Sequence, residues 1–162
     1  MRVGLGFDVH RFAAGRKLVL GGVAIDSDLG LEGHSDADVV LHALMDALLG
    51  ALALGDIGMH FPNSDPAYRG ADSKELTRRV VAMVQEAGYE VGNADVMVLA
   101  ETPKIAPYVA DMRASMAQLL GCETGQVSVK ATTMERMGFV GRKEGVAAQA
   151  VVLLQPRKED GK

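Results

Sequence analysis

The opening segment MRVGLGFDVH alternates small or polar residues with larger apolar ones and reads as a strand from Arg2 to His10. A second extended stretch, Arg16 to Ile25, contains LVLGGVAI. Its Gly21-Gly22 pair marks a bulge or turn, so the two stretches together predict a β-hairpin. The period then lengthens to 3.6 in DADVVLHALMDALLGALALG, which predicts a helix entered through EGHSD, with Ser35 or Asp36 as N-cap and Gly55 near its end. GDIGMHFPNSDPAYRG follows, and its Gly and Pro residues predict a loop without regular structure. Loops of this length commonly carry function.

A second helix is expected from Ser73 to Ala87, with Leu76, Val80, Ala82, Met83 and Val84 as its buried stripe and Gly88 as its stop. Ala94 to Ala100 reads as a buried strand, and Pro107 opens a third helix that ends at Gly121. Strands at Gln126 to Thr132 and Val146 to Leu154 complete the chain. The polar, Gly-containing segment TTMERMGFVGRKEG between them predicts no covered element. The order gives an α+β two-layer sandwich, a mixed β-sheet with helices on one face. Such a sheet leaves its second face open to water, and the apolar run AAQAVVLLQ calls for a cover, either an oligomer or the monomer's own core. Residues 1–156 read as a single domain and 157–162 as a disordered tail.

At 162 residues, with 48% hydrophobic but only 4% aromatic side chains, the chain can build a core mainly from Val, Leu, Ala and Met. A formal charge of −4 argues against nucleic acid or an anionic membrane as a general partner, because both require a surplus of Lys and Arg. The single Cys122 cannot form an internal disulfide. No signal segment precedes Asp8 and no apolar run reaches the roughly 20 residues of a membrane span, so a soluble, cytoplasmic protein is expected.

Asp8 and His10 lie two apart on the first strand, so both side chains leave one face. His42, on the first helix between Leu41 and Ala43, is the natural third partner. One carboxylate and two imidazoles make a zinc ligand set that keeps a fourth position open for chemistry. Ser35, Asp38, His42 and Asp46 recur at helical spacing as a polar stripe, with Asp38 or Asp46 as the expected acceptor for the second ring N–H of His42. A polar stripe more often marks a solvated helix face. His34-Ser35, just before the helix, could receive a phosphoryl oxygen at its positive N-terminal end, although a plain N-cap reads equally well. Glu135 is a candidate for a hard cation such as Mg2+, or a solvated surface group.

GFDVHRF, SDADVVLHALMDALLGALALGDIG and KATTMERMGFVGRKEG, in this order, closely resemble the 2-C-methyl-D-erythritol 2,4-cyclodiphosphate synthases of the non-mevalonate isoprenoid pathway. The resemblance spans essentially the whole chain, and the start at Met1 fits the stand-alone form rather than a fusion with a nucleotidyltransferase. It implies zinc on Asp8, His10 and His42, and Mg2+ or Mn2+ on Glu135. The implied substrate is 4-diphosphocytidyl-2-C-methyl-D-erythritol 2-phosphate, whose 2-phosphate oxygen attacks the β-phosphorus, expels CMP and closes a cyclic diphosphate. His34 and Thr133 would stabilise the transition state.

Further substrate contacts are implied elsewhere along the chain. Val9 and Ser35 flank the zinc ligands. The loop Asp56, Ile57, Gly58, Phe61, Pro62, Asn63, Ser64 and Asp65 would cradle hydroxyls, with Asn63 standing where the family commonly has aspartate. Ala100, Glu101, Thr102, Pro103, Lys104, Ile105 and Ala106 would receive cytidine, with Lys104 toward phosphate, together with Ala131, Thr132, Thr133 and Met134. Phe139 and Arg142 would lie near the axis of a homotrimer whose active sites form between subunits and whose sheets pack around that axis. A zinc phosphohydrolase with the same ligands, or a non-catalytic trimer that binds isoprenoid diphosphates, remains the alternative reading.

Overall fold

The computed structural model describes residues 1–62 and 64–157. Strand β1 runs Arg2–Ala14, longer than the alternation suggests, and is followed by three short strands, β2 (Leu18–Leu20), β3 (Val23–Ile25) and β4 (Leu29–Leu31). The expected hairpin between β1 and the Arg16–Ile25 stretch does not form. β2 and β3 pair with each other across Gly21-Gly22, both at positive φ, and β1 pairs instead with β4. Two consecutive left-handed glycines make a tight two-residue turn, which closes the hairpin locally rather than back onto β1.

Helix α1 covers Val39–Ala51. Its N-cap is Asp38, not Ser35 or Asp36. The Asp38 carboxylate accepts from Val40 N and Leu41 N in the helix and from Gly21 N and Gly22 N in the β2–β3 turn, so one fully buried group caps α1 and docks the hairpin on it. Burial pushes the Asp38 carboxyl up to about 6, against the pull of the Gly22, Leu41 and Gly21 amides.

The loop after α1 is not wholly irregular. Asp56 caps a one-turn helix α2 (Ile57–His60), and Asp65 caps a 3-10 turn at Pro66–Tyr68. Single turns closed by aspartate side chains fit between Gly and Pro residues that would break anything longer. Helix α3 (Ser73–Glu86) begins at the residue expected, but its buried stripe is Leu76, Thr77, Val80, Val81 and Val84, while Ala82 is exposed. Three adjacent positions cannot share one face at 3.6 residues per turn.

β5 (Tyr89–Leu99), α4 (Val109–Leu120, ended by left-handed Gly121) and β6 (Val127–Thr132) follow. A short helix α5 (Gly138–Gly141), with Val140 and Gly141 buried, occupies the segment expected to be uncovered, before β7 (Gly145–Pro156). The main sheet has the order β4-β1-β7-β5-β6, antiparallel except for the β5–β6 pair. A mixed sheet covered by α1, α3 and α4 makes an α+β fold. Arg157 N donates to Gly88 O at 2.9 Å, which pins the first residue of the expected loose tail; residues 158–162 lie outside the described residues.

Along β1 the faces are reversed from the usual pattern. Gly4, Gly6, Asp8 and His10 look toward α1, whereas Val3, Leu5, Phe7 and Val9 look outward, 68% exposed at Val3 and 43% at Val9. The inward glycines let α1 lie directly on the strand. Its other sides are covered as well, so that nearly every residue of α1 except Asp46 and Gly50 is buried. Among the described residues, no helix is long and apolar enough to cross a membrane.

Candidate metal centre and active-site cavity

Because α1 rests on Gly4 and Gly6, its first turn overhangs the next two inward positions of β1, and His42 meets Asp8 and His10. Asp8 Oδ2 lies 3.0 Å from His10 Nε2 and 3.0 Å from His42 Nδ1, and the two ring nitrogens are 3.1 Å apart. Ligand atoms around a tetrahedral zinc with bonds of about 2.0–2.1 Å stand about 3.3 Å apart. The three donors therefore fit such an ion with little adjustment. His10 Nδ1 donates to the Glu32 carbonyl at 2.5 Å, which leaves the Nε2 lone pair free for the centre. The far nitrogen of His42, Nε2, sits 3.1 Å from Ser73 Oγ and 3.2 Å from Ser35 Oγ.

Burial works to raise the Asp8 carboxyl, but the His10 and His42 imidazoles beside it prevail and hold it well below the usual carboxylate range. Burial works to lower His10, yet Asp8 and the Glu32 carbonyl outweigh it and raise its pKa, against opposition from nearby Arg16. The centre thus attracts positive charge, and a proton and a metal compete for the same lone pairs.

The triad opens into a cavity of about 310 Å³ lined in part by Gly33, His34, Ser35, Ile57, Gly58 and Phe61. His34 is exposed, and its carbonyl accepts from Gly70 N at 2.7 Å. It also lines an adjoining cavity with Ser64, Asp65, Pro66 and Arg69. The Arg16 guanidinium donates to Gly33 O and Ser35 O at 2.7 and 2.5 Å, fixing the backbone that presents His34 and Ser35. Asp56 is exposed and its side chain caps Met59 N; Pro62 is half-buried, and Asn63 lies outside the described residues.

Asp38 takes the Val40 and Leu41 amides at the start of α1, which leaves His34 and Ser35 themselves as the groups that line the cavity at this end. One expectation for this region fails: neither Asp38 nor Asp46 accepts from His42. Asp38 is committed to four amides, Asp46 accepts from Ile57 N at 2.8 Å, and the partners of His42 Nε2 are Ser73 and Ser35. Sequence reasoning missed Ser73 and Arg16, and read Asp36 only as a candidate N-cap, because the contacts that bring these residues to the site span 17 or more residues and carry no local signature.

The second group of expected residues is elsewhere in the molecule. Asp8 pairs across the sheet with Ala148, which pairs with Val98, which pairs with Ala131 on β6. Three strand spacings of 4.7–4.9 Å put the β6 end about 14 Å from Asp8 along the sheet. There Thr133 Oγ1 donates to Glu135 Oε1 at 2.8 Å, and Glu101 Oε1 accepts from Met134 N and Arg136 N, binding the 100–106 segment to the 132–136 turn. Ala100 N donates to Thr132 O, and Thr102-Pro103 is cis. Lys104 and Ala106 are exposed and Ile105 is buried. Phe139 lines a third cavity with Val9, His10, Arg11, Glu144 and Gly145, and Arg142 Nε pairs with Glu144 at 2.6 Å.

Residues 1–155 match the YgbB family model. The chain belongs to the YgbB family. A YgbB-family relative from Symbiobacterium thermophilum, named 2-C-methyl-D-erythritol 2,4-cyclodiphosphate synthase, is 62% identical over 97% of this chain and all of its own length. Two solved structures share this chain's fold. The bifunctional IspDF of Campylobacter jejuni superposes with a TM-score of 0.92 at 43% identity over 96% of this chain, which spans only 42% of that longer protein. The IspF–CDP complex of Plasmodium falciparum gives a TM-score of 0.85 at 32% identity, covering 97% of both chains.

Proposed function

We propose that this chain converts 4-diphosphocytidyl-2-C-methyl-D-erythritol 2-phosphate to 2-C-methyl-D-erythritol 2,4-cyclodiphosphate and CMP, the reaction of its named relatives. The observation that carries the reading is the Asp8–His10–His42 triad at the floor of the cavity beside His34 and Ser35. Zinc on the triad and Mg2+ or Mn2+ on Glu135 would supply charge neutralisation at the two phosphoryl groups. The attacking 2-phosphate oxygen is already an anion. It forms a bond to the β-phosphorus while the bond to the CMP oxygen breaks, and CMP leaves with the electron pair. No strong base is needed, so the protein's task is to align and to neutralise.

His34 and Ser35 donate to phosphoryl oxygens at the cavity mouth, and Thr133 does so from the Glu135 turn. Ile57, Gly58 and Phe61, with the remainder of the loop through Asp65, hold the erythritol. The segment 100–106 with Ala131–Met134 holds cytidine, consistent with CDP in the Plasmodium falciparum relative.

Both halves of the site are needed at one substrate, yet about 14 Å of sheet separates them in one copy. A homotrimer that stacks the apolar row Val3, Leu5, Phe7 and Val9 around its axis would bring the β6 end of one copy to the triad of the next, with Phe139 and Arg142 near the axis. We further read residues 1–156 as one domain and the cytoplasm as its compartment, where Cys122 stays reduced.

Phosphorus NMR of the purified protein with Mg2+ and this substrate tests the reading. Coupled cyclic-diphosphate signals with CMP, lost on zinc chelation, are expected. A linear phosphate product would make the protein a hydrolase, and bound but unchanged substrate a binding protein. Sedimentation equilibrium should return three times the monomer mass; a monomer would sink the shared site.

A further inference from the structure

The fully buried hydroxyl of Ser73, the first residue of α3, has no part in the roles assigned above. Its oxygen lies 2.5 Å from Asp36 Oδ1 and 3.1 Å from His42 Nε2. Asp36 also accepts from Ser73 N at 3.1 Å and Asp38 N at 3.3 Å, so every contact made by its carboxylate is from a donor. A serine hydroxyl has one proton to give, and a carboxylate can only accept. The Ser73 proton is therefore committed to Asp36, and a lone pair of Ser73 faces the imidazole.

We infer that Asp36 and Ser73 are positioning residues for the metal centre: they hold the His42 proton on Nε2 and leave Nδ1 bare toward Asp8 and His10. The inference rests on the metal-centre reading above. Without this chain, the imidazole could place its proton on either nitrogen or turn its ring, and only one tautomer presents a lone pair at Nδ1. Asp36 also fixes where Ser73 stands, because its second oxygen binds the first amide of α3 while its backbone leads into α1. The two helix starts are thereby joined at the ring they orient. Ser35 Oγ, 3.2 Å from the same ring nitrogen, already accepts from Ala37 N at 3.1 Å. With the ring N–H directed to Ser73, the Ser35 proton stays available to an acceptor in the cavity.

Zinc affinity, measured on the purified full chain by competition with a chromophoric chelator, tests this. Ser73→Ala should weaken zinc about 10- to 100-fold, and Asp36→Asn less, since an amide oxygen still accepts the serine proton but without charge. Thr77→Ala is the control. It removes the 2.7 Å bond from Thr77 Oγ1 to the Ser73 carbonyl, loosening the same turn of α3 without touching His42, and should keep wild-type affinity. With cobalt(II) in place of zinc, the d–d absorption bands should move in Ser73→Ala and not in Thr77→Ala. Equal losses in Ser73→Ala and Thr77→Ala, or wild-type affinity and bands in Ser73→Ala, overturn the positioning role. If Ser73→Ala does not fold, Asp36→Asn against Thr77→Ala decides in the same way. A wild-type chain that binds no zinc, or a His10→Ala variant that binds it as tightly, overturns the metal-centre reading instead.

Discussion

Gly6 sets the distance between β1 and α1: a Cβ placed on it would sit 1.9 Å from the carbonyl oxygen of Ala43. Gly4 repeats the relationship one turn on, at 1.8 Å from Ala47 O. Both obstacles are helix backbone, so no rotamer change can relieve them. Gly6→Ala must push α1 off the strand, and His42 moves with it. We expect a loss of at least about 1–3 kcal/mol in urea unfolding of the metal-free protein together with reduced zinc stoichiometry. Wild-type values for both would show that the helix does not rest on this residue.

Asp38 holds four amides, two from α1 and two from the β2–β3 turn. Asp38→Ala leaves buried donors without partners and removes the helix cap, so we expect about 2–4 kcal/mol of destabilisation. The hairpin should loosen first. Amide exchange at Gly21 and Gly22 measured by NMR should accelerate more than exchange in β5, and uniform acceleration across the chain would contradict a local anchoring role.

Much of this arrangement was legible in the sequence, and the exceptions share a cause. Asp8, His10 and His42 were readable because a strand of period two and a helix of period 3.6 each declare a face, and the faces had to meet. The N-cap was misjudged because Ser35, Asp36 and Asp38 are all good capping residues, and the choice among them depends on the distant Gly21-Gly22 turn that Asp38 also binds. The β1–β4 pairing and the Ser73–His42 contact depend likewise on tertiary geometry, which has no periodic trace in one segment. The inward Gly4 and Gly6 were visible as letters, but their meaning, a helix backbone in contact, required the helix to be in place.

The triad also predicts opposite pH responses with and without metal. In the metal-free protein the raised pKa of His10 contributes stability that is fully present below the unfolded value of 6.5 and is lost as pH rises through its higher folded value. The depressed pKa of Asp8 contributes stability present above 3.8 and lost as pH falls toward its lower folded value. The metal-free protein should therefore gain most from the pair between these limits. Zinc reverses the upper limb, because it replaces the His10 proton and binds better as that proton leaves. Melting temperatures of metal-free and zinc-loaded protein should diverge as pH rises through and above 6.5. Parallel curves would mean that His10 does not exchange a proton for the metal.

Glu101 offers a way to separate the two halves of the proposed site. Its Oε1 accepts from Met134 N at 3.0 Å and Arg136 N at 2.9 Å, and between those amides Glu135 is held at a φ of 50°, a left-handed conformation that a non-glycine residue adopts only under constraint. The clamp acts on the turn that carries Thr133 and Glu135 and touches none of Asp8, His10 or His42. Glu101→Ala should free the turn, raise KM for the cytidylyl substrate and increase the Mg2+ concentration needed for half-maximal rate, each by about tenfold or more, since a hydrogen bond to a charged group supplies about 1.5–3 kcal/mol. Zinc affinity should not change. A drop in zinc affinity would mean that the turn and the metal centre are not independent halves, whereas an unchanged Mg2+ requirement would remove Glu135 from the reaction.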